Sequence, residues 1–282
     1  MAKHVMLNGD IIPSAKPCVS YDNRGLVYGD SFSFELRGNS SRAFLFDEYF
    51  NYMLYCISCY GMDKPALLKS SIFAKDLELL LQKNRIYKGF SALITVFRNG
   101  SVPKLAEDNS ISILISVEAL PDEYYVLNEK GIKVDILRNY KISDYVFNNN
   151  WGNVFSKELL FRKNMEENRV DDLLLLNERG CIVKATDSNA FFVKSGKIII
   201  PERFENNYQR IFSKYVENLA VRAGIPIIAF EVREPDLMDM EEIFLVNPIF
   251  GIKWILIFRD KRYFNKISAL LVKEMNKDLM KS

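Results

Sequence analysis

The chain has 282 residues, 38 Lys and Arg against 36 Asp and Glu, and a formal net charge of +2. That length reaches the ~250 to 300 residues at which single cores stop growing, so two domains are expected. There is no basic stripe and no long like-charge run, which argues against nucleic acid and against an anionic membrane as partners. No apolar run approaches the ~18 to 20 residues of a membrane span, and "MAKHVMLNGD" lacks the apolar core of a signal peptide, so a cytoplasmic protein is expected.

In chain order, "HVMLNGDIIP" reads as a short strand and turn. "DEYFNYMLYCISCYGM" and "ALLKSSIFAKDLELLLQKN" carry apolar residues at helical spacing, and "SALITVFRNG" and "SISILISVEAL" read as apolar strands of one sheet. "PDEYY" breaks the pattern before "GIKVDIL" begins a new strand. The domain boundary is therefore placed near residues 118 to 124, giving an N-terminal α+β lobe over 1–120 and a C-terminal lobe over 121–282. The second half runs helix ("VFSKELLFRKNMEENR"), strand ("DDLLLLN"), strand ("CIVKAT"), strand ("AFFVK") and strand ("IIIP"). A further helix ("NYQRIFSKYVENLAVRAG") and the strands "IPIIAFEV", "EEIFLVN" and "KWILIF" complete this reading of a compact α+β chain.

The residues able to do chemistry are few. Cys18, Cys56, Cys59 and Cys181 include one suggestive spacing, "CISC". A zinc site there would need two more ligands, so the pair reads as small apolar residues buried on a helix, and no metal is expected. His4 is the sole histidine, which leaves no second imidazole for general acid–base or triad catalysis. Lysines, tyrosines and carboxylates would have to carry any reaction.

"YDNRGLVYGDSFSFELR" (21–37) resembles the D-R-G-x-x-Y-G-D-x-x-F-E-x-x-R signature of the class IV, fold type IV pyridoxal phosphate enzymes. That family includes branched-chain and D-amino acid aminotransferases and aminodeoxychorismate lyase. "FLFDEYFNYM", "VFRNG", "VDDLLLLNERGCIVKATDSNAFFVKSGKIIIP" and "MEEIFLVNPIFGIKWI" resemble its later blocks in the family's order. The resemblance implies a two-lobed class IV aminotransferase-like fold, with a small N-terminal α/β lobe and a larger, β-barrel-like C-terminal lobe with helices. It also implies a homodimer.

Carried over residue by residue, the resemblance is unfavourable to the family's chemistry. The reactive lysine of the family falls on Trp151, and an indole cannot act as that amine. Lys184 falls where the family has a glutamate beside the pyridine nitrogen. The histidine and the phosphate-gripping arginine of the first helix fall on Tyr49 and Tyr52. The hydroxyls of the late t-N-s block fall on Val246 and Pro248, flanking Asn247, and "ERFENNYQR" is shorter than the family's phosphate loop and glycine-free. Gly25, Tyr28, Gly29, Asp30, Arg37, Asn189 and Gly251 match the family, most of them as framework, with Tyr28 and Arg37 as substrate-side candidates. Asp22 and Arg24 read as a local ion pair.

The expectation drawn from these departures is a member that has lost pyridoxal phosphate and catalysis, and that binds a small molecule or a partner in the remodelled cleft. The alternative is an active aminotransferase or aminodeoxychorismate lyase-like enzyme with the lysine relocated to Lys184 or Lys157. A third reading is a cofactor-independent enzyme using Lys184 as a base among Tyr49, Tyr52 and Trp151.

Overall fold

The computed structural model describes residues 2–16, 19–101, 108–142, 154–201 and 208–280. The chain divides into two compact units, Met1–Tyr124 and Tyr125–Lys281. No helix among the described residues is long and apolar enough to cross a membrane.

The first unit begins with a hairpin of β1 (His4–Leu7) and β2 (Asp10–Pro13). Asn8 and Gly9 turn it, both at positive φ, a backbone that Asn and Gly adopt at least cost. The short helix α1 (Arg24–Tyr28) and strands β3 (Ser31–Asn39) and β4 (Arg42–Ala43) come next. After helices α2 (Phe46–Cys59) and α3 (Ser70–Asn84), the unit ends with β5 (Phe90–Arg98) and β6 (Ile111–Ala119). The strands form one antiparallel sheet in the order β2-β1-β6-β5-β3-β4.

Alternation places Phe32, Phe34 and Leu36 of β3 beside Ala92, Ile94 and Val96 of β5, all buried. β3 was absent from the element-by-element reading because its period of two lay inside the family signature. Helix α2 buries Tyr49, Phe50, Met53, Cys56 and Ile57, while α3 buries Phe73, Leu77, Leu80 and Leu81. The expected buried cysteine pair is corrected here. Cys56 is buried and its thiol is pushed up to about 12 by that burial, but Cys59, three residues on, has rotated out of the apolar face and is exposed.

The second unit contains β7 (Ile132–Ile142), α4 (Val154–Asn168), β8 (Asp172–Asn177), β9 (Cys181–Ala185), β10 (Asn189–Lys194) and β11 (Lys197–Pro201). Helix α5 (Tyr208–Arg222), β12 (Ile227–Phe230) and β13 (Val232–Arg233) follow. A 3-10 turn (Glu234–Asp239) leads into β14 (Glu242–Asn247), β15 (Gly251–Phe258), β16 (Lys261–Arg262) and α6 (Lys266–Leu279). The sheet order is β12-β11-β10-β14-β15-β7-β8-β9-β13, with β16 beside β15. Strand β7 is parallel to both neighbours, β15 and β8.

The run Leu173–Leu176 is buried throughout, as expected of a strand covered on both faces. Gly251 stands at φ +77, and a Cβ there would collide with the Tyr125 ring, so the tight β14–β15 turn requires glycine twice over. Helix α6 was not foreseen, although Leu271, Met275 and Leu279 recur at i, i+4 and are buried. Its N-terminal amides at Ile267 and Ser268 donate to the buried Glu242 carboxylate at 2.8 and 2.7 Å, replacing a local cap.

Candidate functional site

In the first unit, the signature residues are tied into the backbone. Asn23 caps α1, its Oδ1 accepting from the Leu26 amide and its Nδ2 donating to the Arg98 and Asn99 carbonyls. Arg24 pairs with Asp30 at 2.7 Å, and Arg98 reaches the same Asp30 oxygen at 3.0 Å. This corrects the expected Asp22–Arg24 pair: Arg24 turns inward to Asp30, while Asp22 accepts from the Ser20 hydroxyl. Arg98 also donates to the carbonyls of Tyr60 and Gly61, so one buried guanidinium ties the signature to the end of α2.

Arg37, a substrate-side candidate, is buried and donates from Nη2 to the Asp122 and Tyr124 carbonyls, each at 2.7 Å. Tyr28 is exposed. Tyr49 lies in the core, stacked on Phe34 with ring centroids 6.2 Å apart, and Tyr52 meets Phe34 edge-on at 6.0 Å.

The second unit holds a polar cluster at the turn between β9 and β10. Lys184 lies at the end of β9 and is half-buried, its ammonium donating to Gln209 Oε1 at 3.3 Å. Gln209, buried in the first turn of α5, donates in turn to Asp187 Oδ1 at 2.7 Å. Asn247, at the end of β14, donates to the Asp187 carbonyl at 2.7 Å and to its Oδ2 at 3.4 Å. Asn189 donates to Ser213 at 2.6 Å, and Ser213 donates to the Gln209 carbonyl. Lys184, Asn189 and Asn247 are thus drawn into one network with three residues the sequence reading did not name: Asp187, Gln209 and Ser213. The polar run "TDSN" between two strands was the available signal for Asp187. Gln209 had none, because its approach depends on where α5 begins.

Electrostatics add to this picture. The Asp187 side chain remains open to solvent, yet crowding by neighbouring protein raises its carboxyl above the usual range, partly opposed by Lys184. Asp172 and Glu158 push in the same upward direction through their negative charge. Asp172 is itself raised by burial and accepts from the Thr186 hydroxyl at 2.6 Å. Ser188 is buried, and its Oγ has no hydrogen-bond partner among the described residues.

Val246 and Pro248 are buried on either side of Asn247. Lys157, on α4, is half-buried. Trp151 and the loop at 202–207, on which two of the sequence arguments rested, lie outside the described residues.

The cluster can hold an amine next to a carboxylate of raised proton affinity, with a buried hydroxyl left to donate. That donor set suits a ligand with a carbonyl and anionic oxygens. The described residues therefore fit the polar ends of pyridoxal phosphate at the amine and at Ser188, whereas Tyr52, Val246 and Pro248 provide no cation for its phosphate.

Comparison with known proteins places these observations. The D-alanine aminotransferase of Staphylococcus aureus (strain MSSA476) is 24% identical over 86% of this chain and 80% of its own length. The branched-chain aminotransferase of Thermoproteus uzoniensis, solved with norvaline, superposes with a TM-score of 0.86 at 15% identity, covering 100% of this chain and 96% of that one. The branched-chain amino acid aminotransferase of Thermobaculum terrenum, solved in its PLP (holo) form, gives a TM-score of 0.83 at 15% identity over 99% and 94% of the two chains.

The expectation that no cofactor belongs to this framework is corrected by that holo structure. That expectation rests on single aligned positions, chiefly Trp151, whereas the fold joins Lys184 to a carboxylate and further donors in one cluster. The model of the family described as amino-transferase class IV matches residues 43–255, from the end of β4 into β15, and the chain belongs to that family.

Proposed function

We propose that this chain is a pyridoxal phosphate-dependent enzyme of the aminotransferase or aminodeoxychorismate lyase type, with Lys184 as the relocated reactive amine. The observation that carries this reading is the Lys184–Gln209–Asp187 chain of hydrogen bonds, which fixes an amine beside a carboxylate of raised proton affinity. When bound, pyridoxal phosphate supplies an aldehyde that takes up an amine and a ring that draws electrons from the substrate's α-carbon.

Lys184 Nζ must lose a proton to act as a nucleophile, and Asp187 is the nearby group whose raised proton affinity suits it to accept one. Gln209 orients both, its Oε1 toward the amine and its Nε2 toward the carboxylate. Asn247 holds the β9–β10 turn that carries Asp187. Ser188 Oγ offers a hydrogen bond to an anionic oxygen of the ligand.

Branched-chain amino acids and D-alanine are the amino donors to assay, following the names of the relatives. The experiment is titration of the purified protein with pyridoxal phosphate, borohydride reduction and mass mapping. Saturable visible absorbance with the label on Lys184, absent in Lys184→Met, is expected. Absence of saturation, or label scattered over surface lysines, would refute the assignment. Leu26, Val27 and Tyr28 of α1 are exposed apolar residues within the family signature, which supports a homodimer as the working assembly; sedimentation at micromolar concentration checks it.

A further inference from the structure

The first unit contains a cavity built without any residue of the Lys184 cluster. Its volume is about 610 Å³, within the range of small-molecule sites. The floor is the sheet: Ile111, Ile113 and Ile115 are alternate residues of β6, so all three face the same side, and Met6 of β1 lies alongside. One wall is α3, which presents Ile72, Phe73 and, one turn on, Asp76. The rest is apolar apart from Asn8, Lys69 and the backbone of the turn at Gly9.

Asp76 is the anomaly in that lining. It is half-buried, and burial raises its carboxyl above the usual range. Its Oδ2 lies 3.8 Å from where a Cβ on Gly9 would stand, which places the carboxylate at the hairpin turn. Asn8 is already engaged elsewhere: its Oδ1 accepts from the Ile113 amide at 2.8 Å and its Nδ2 donates to Ser112 at 3.0 Å. Lys69 is exposed at the rim, no ion pair to Asp76 is present among the described residues, and the charge of the exposed Lys75 only partly opposes the upward shift of its carboxyl. A partly desolvated carboxylate facing hydrocarbon is stabilised by a ligand that brings a positive charge.

We propose that this cavity binds a small primary ammonium with an apolar or aromatic body, its nitrogen at Asp76 and its body over Ile113 and Phe73. The charge selects the ligand class, and the apolar floor supplies area for its body.

The test compares tryptamine with tryptophol, which share an indole body and differ in the charged nitrogen. Each is titrated near neutral pH into protein free of added pyridoxal phosphate, by calorimetry and by amide chemical-shift mapping. Tryptamine is expected to bind at one site at least tenfold more tightly than tryptophol, with shifts at Ile113 and Asp76. Asp76→Asn should reduce the preference to less than twofold, and Ile72→Trp, at the partly exposed mouth, should weaken both ligands. Lys184→Met should leave tryptamine binding unchanged, which separates this site from the proposed reactive amine. Equal affinity for the two ligands, an unaltered preference in Asp76→Asn, or loss of binding in Lys184→Met would each overturn the proposal.

Discussion

The two units treat their charged residues in opposite ways. In the first, Asp30 holds two buried arginines, and Arg37 and Arg98 donate to main-chain carbonyls, so the family signature acts as a clamp on the backbone. In the second, Lys184 and Asp187 meet through a neutral amide and the carboxylate stays accessible. Buried ion pairs turned onto the backbone fix a shape, and an accessible carboxylate beside an amine leaves capacity for a ligand. The stretch most useful for recognising the family is therefore not the stretch that carries the proposed chemistry.

The largest effect that could break this contrast is expected at Asp30. Asp30→Ala leaves Arg24 and Arg98, both nearly inaccessible, without their carboxylate, and should cost about 3 kcal/mol, the lower end for breaking a buried pair, because Arg98 keeps its carbonyl partners. Denaturant unfolding measures it; a loss under about 1 kcal/mol would mean the signature is not a structural clamp.

A smaller effect is expected from Asp172, through pH. Burial raises its carboxyl in the folded chain above the unfolded value of about 3.9. The folded state then holds the proton more tightly, so this group's contribution to stability is greatest below the unfolded value and declines as pH rises through the raised one. Asp172→Asn keeps an acceptor for Thr186 but cannot titrate. Its melting temperature should fall less than the parent's between acid and neutral pH, and an identical slope would contradict the assigned burial effect.

The smallest change in stability belongs to Lys184. Lys184→Met removes the 3.3 Å hydrogen bond to Gln209 from a half-buried site, and should alter unfolding free energy by less than about 1 kcal/mol while abolishing the borohydride-trapped label. A large loss of stability would make Lys184 part of the framework, as Arg98 is, and would erase the contrast between the units.

Most of the fold was legible because helices α2 and α3 and strands β5 and β6 carry strong periods of their own. What escaped was hidden for specific reasons: β3 lay beneath a motif, and α6 follows the last block of the family pattern. The site was legible only in part. Lys184, Asn189 and Asn247 could be placed by resemblance, since each sits in a matched block. Asp187, Ser188 and Gln209 could not, because their meeting depends on a turn between two strands and on a helix whose Gln209 lies 22 residues after Asp187. The aligned positions place Tyr49 and Tyr52 at a cleft, and in the structure both rings pack on Phe34, Tyr49 buried and Tyr52 half-buried.

The place of β7 in its sheet has a consequence for how the chain is made. Its two hydrogen-bonding edges are occupied by β8, which follows within the same crossover, and by β15, where Ile132 meets Ile255. A nascent chain emerging from its N-terminus completes the antiparallel sheet of the first unit as soon as β6 has appeared, since every strand of that sheet lies upstream. The second sheet has no such luxury: β7 keeps one bare edge until nearly the last strand has been synthesised. Non-local parallel pairing of this kind is slow to form and leaves a template for unwanted strand addition in the interval. The second half of the molecule is thus the half whose sheet closes late, and a chain ending before β15 would have one finished sheet and one with an open strand edge.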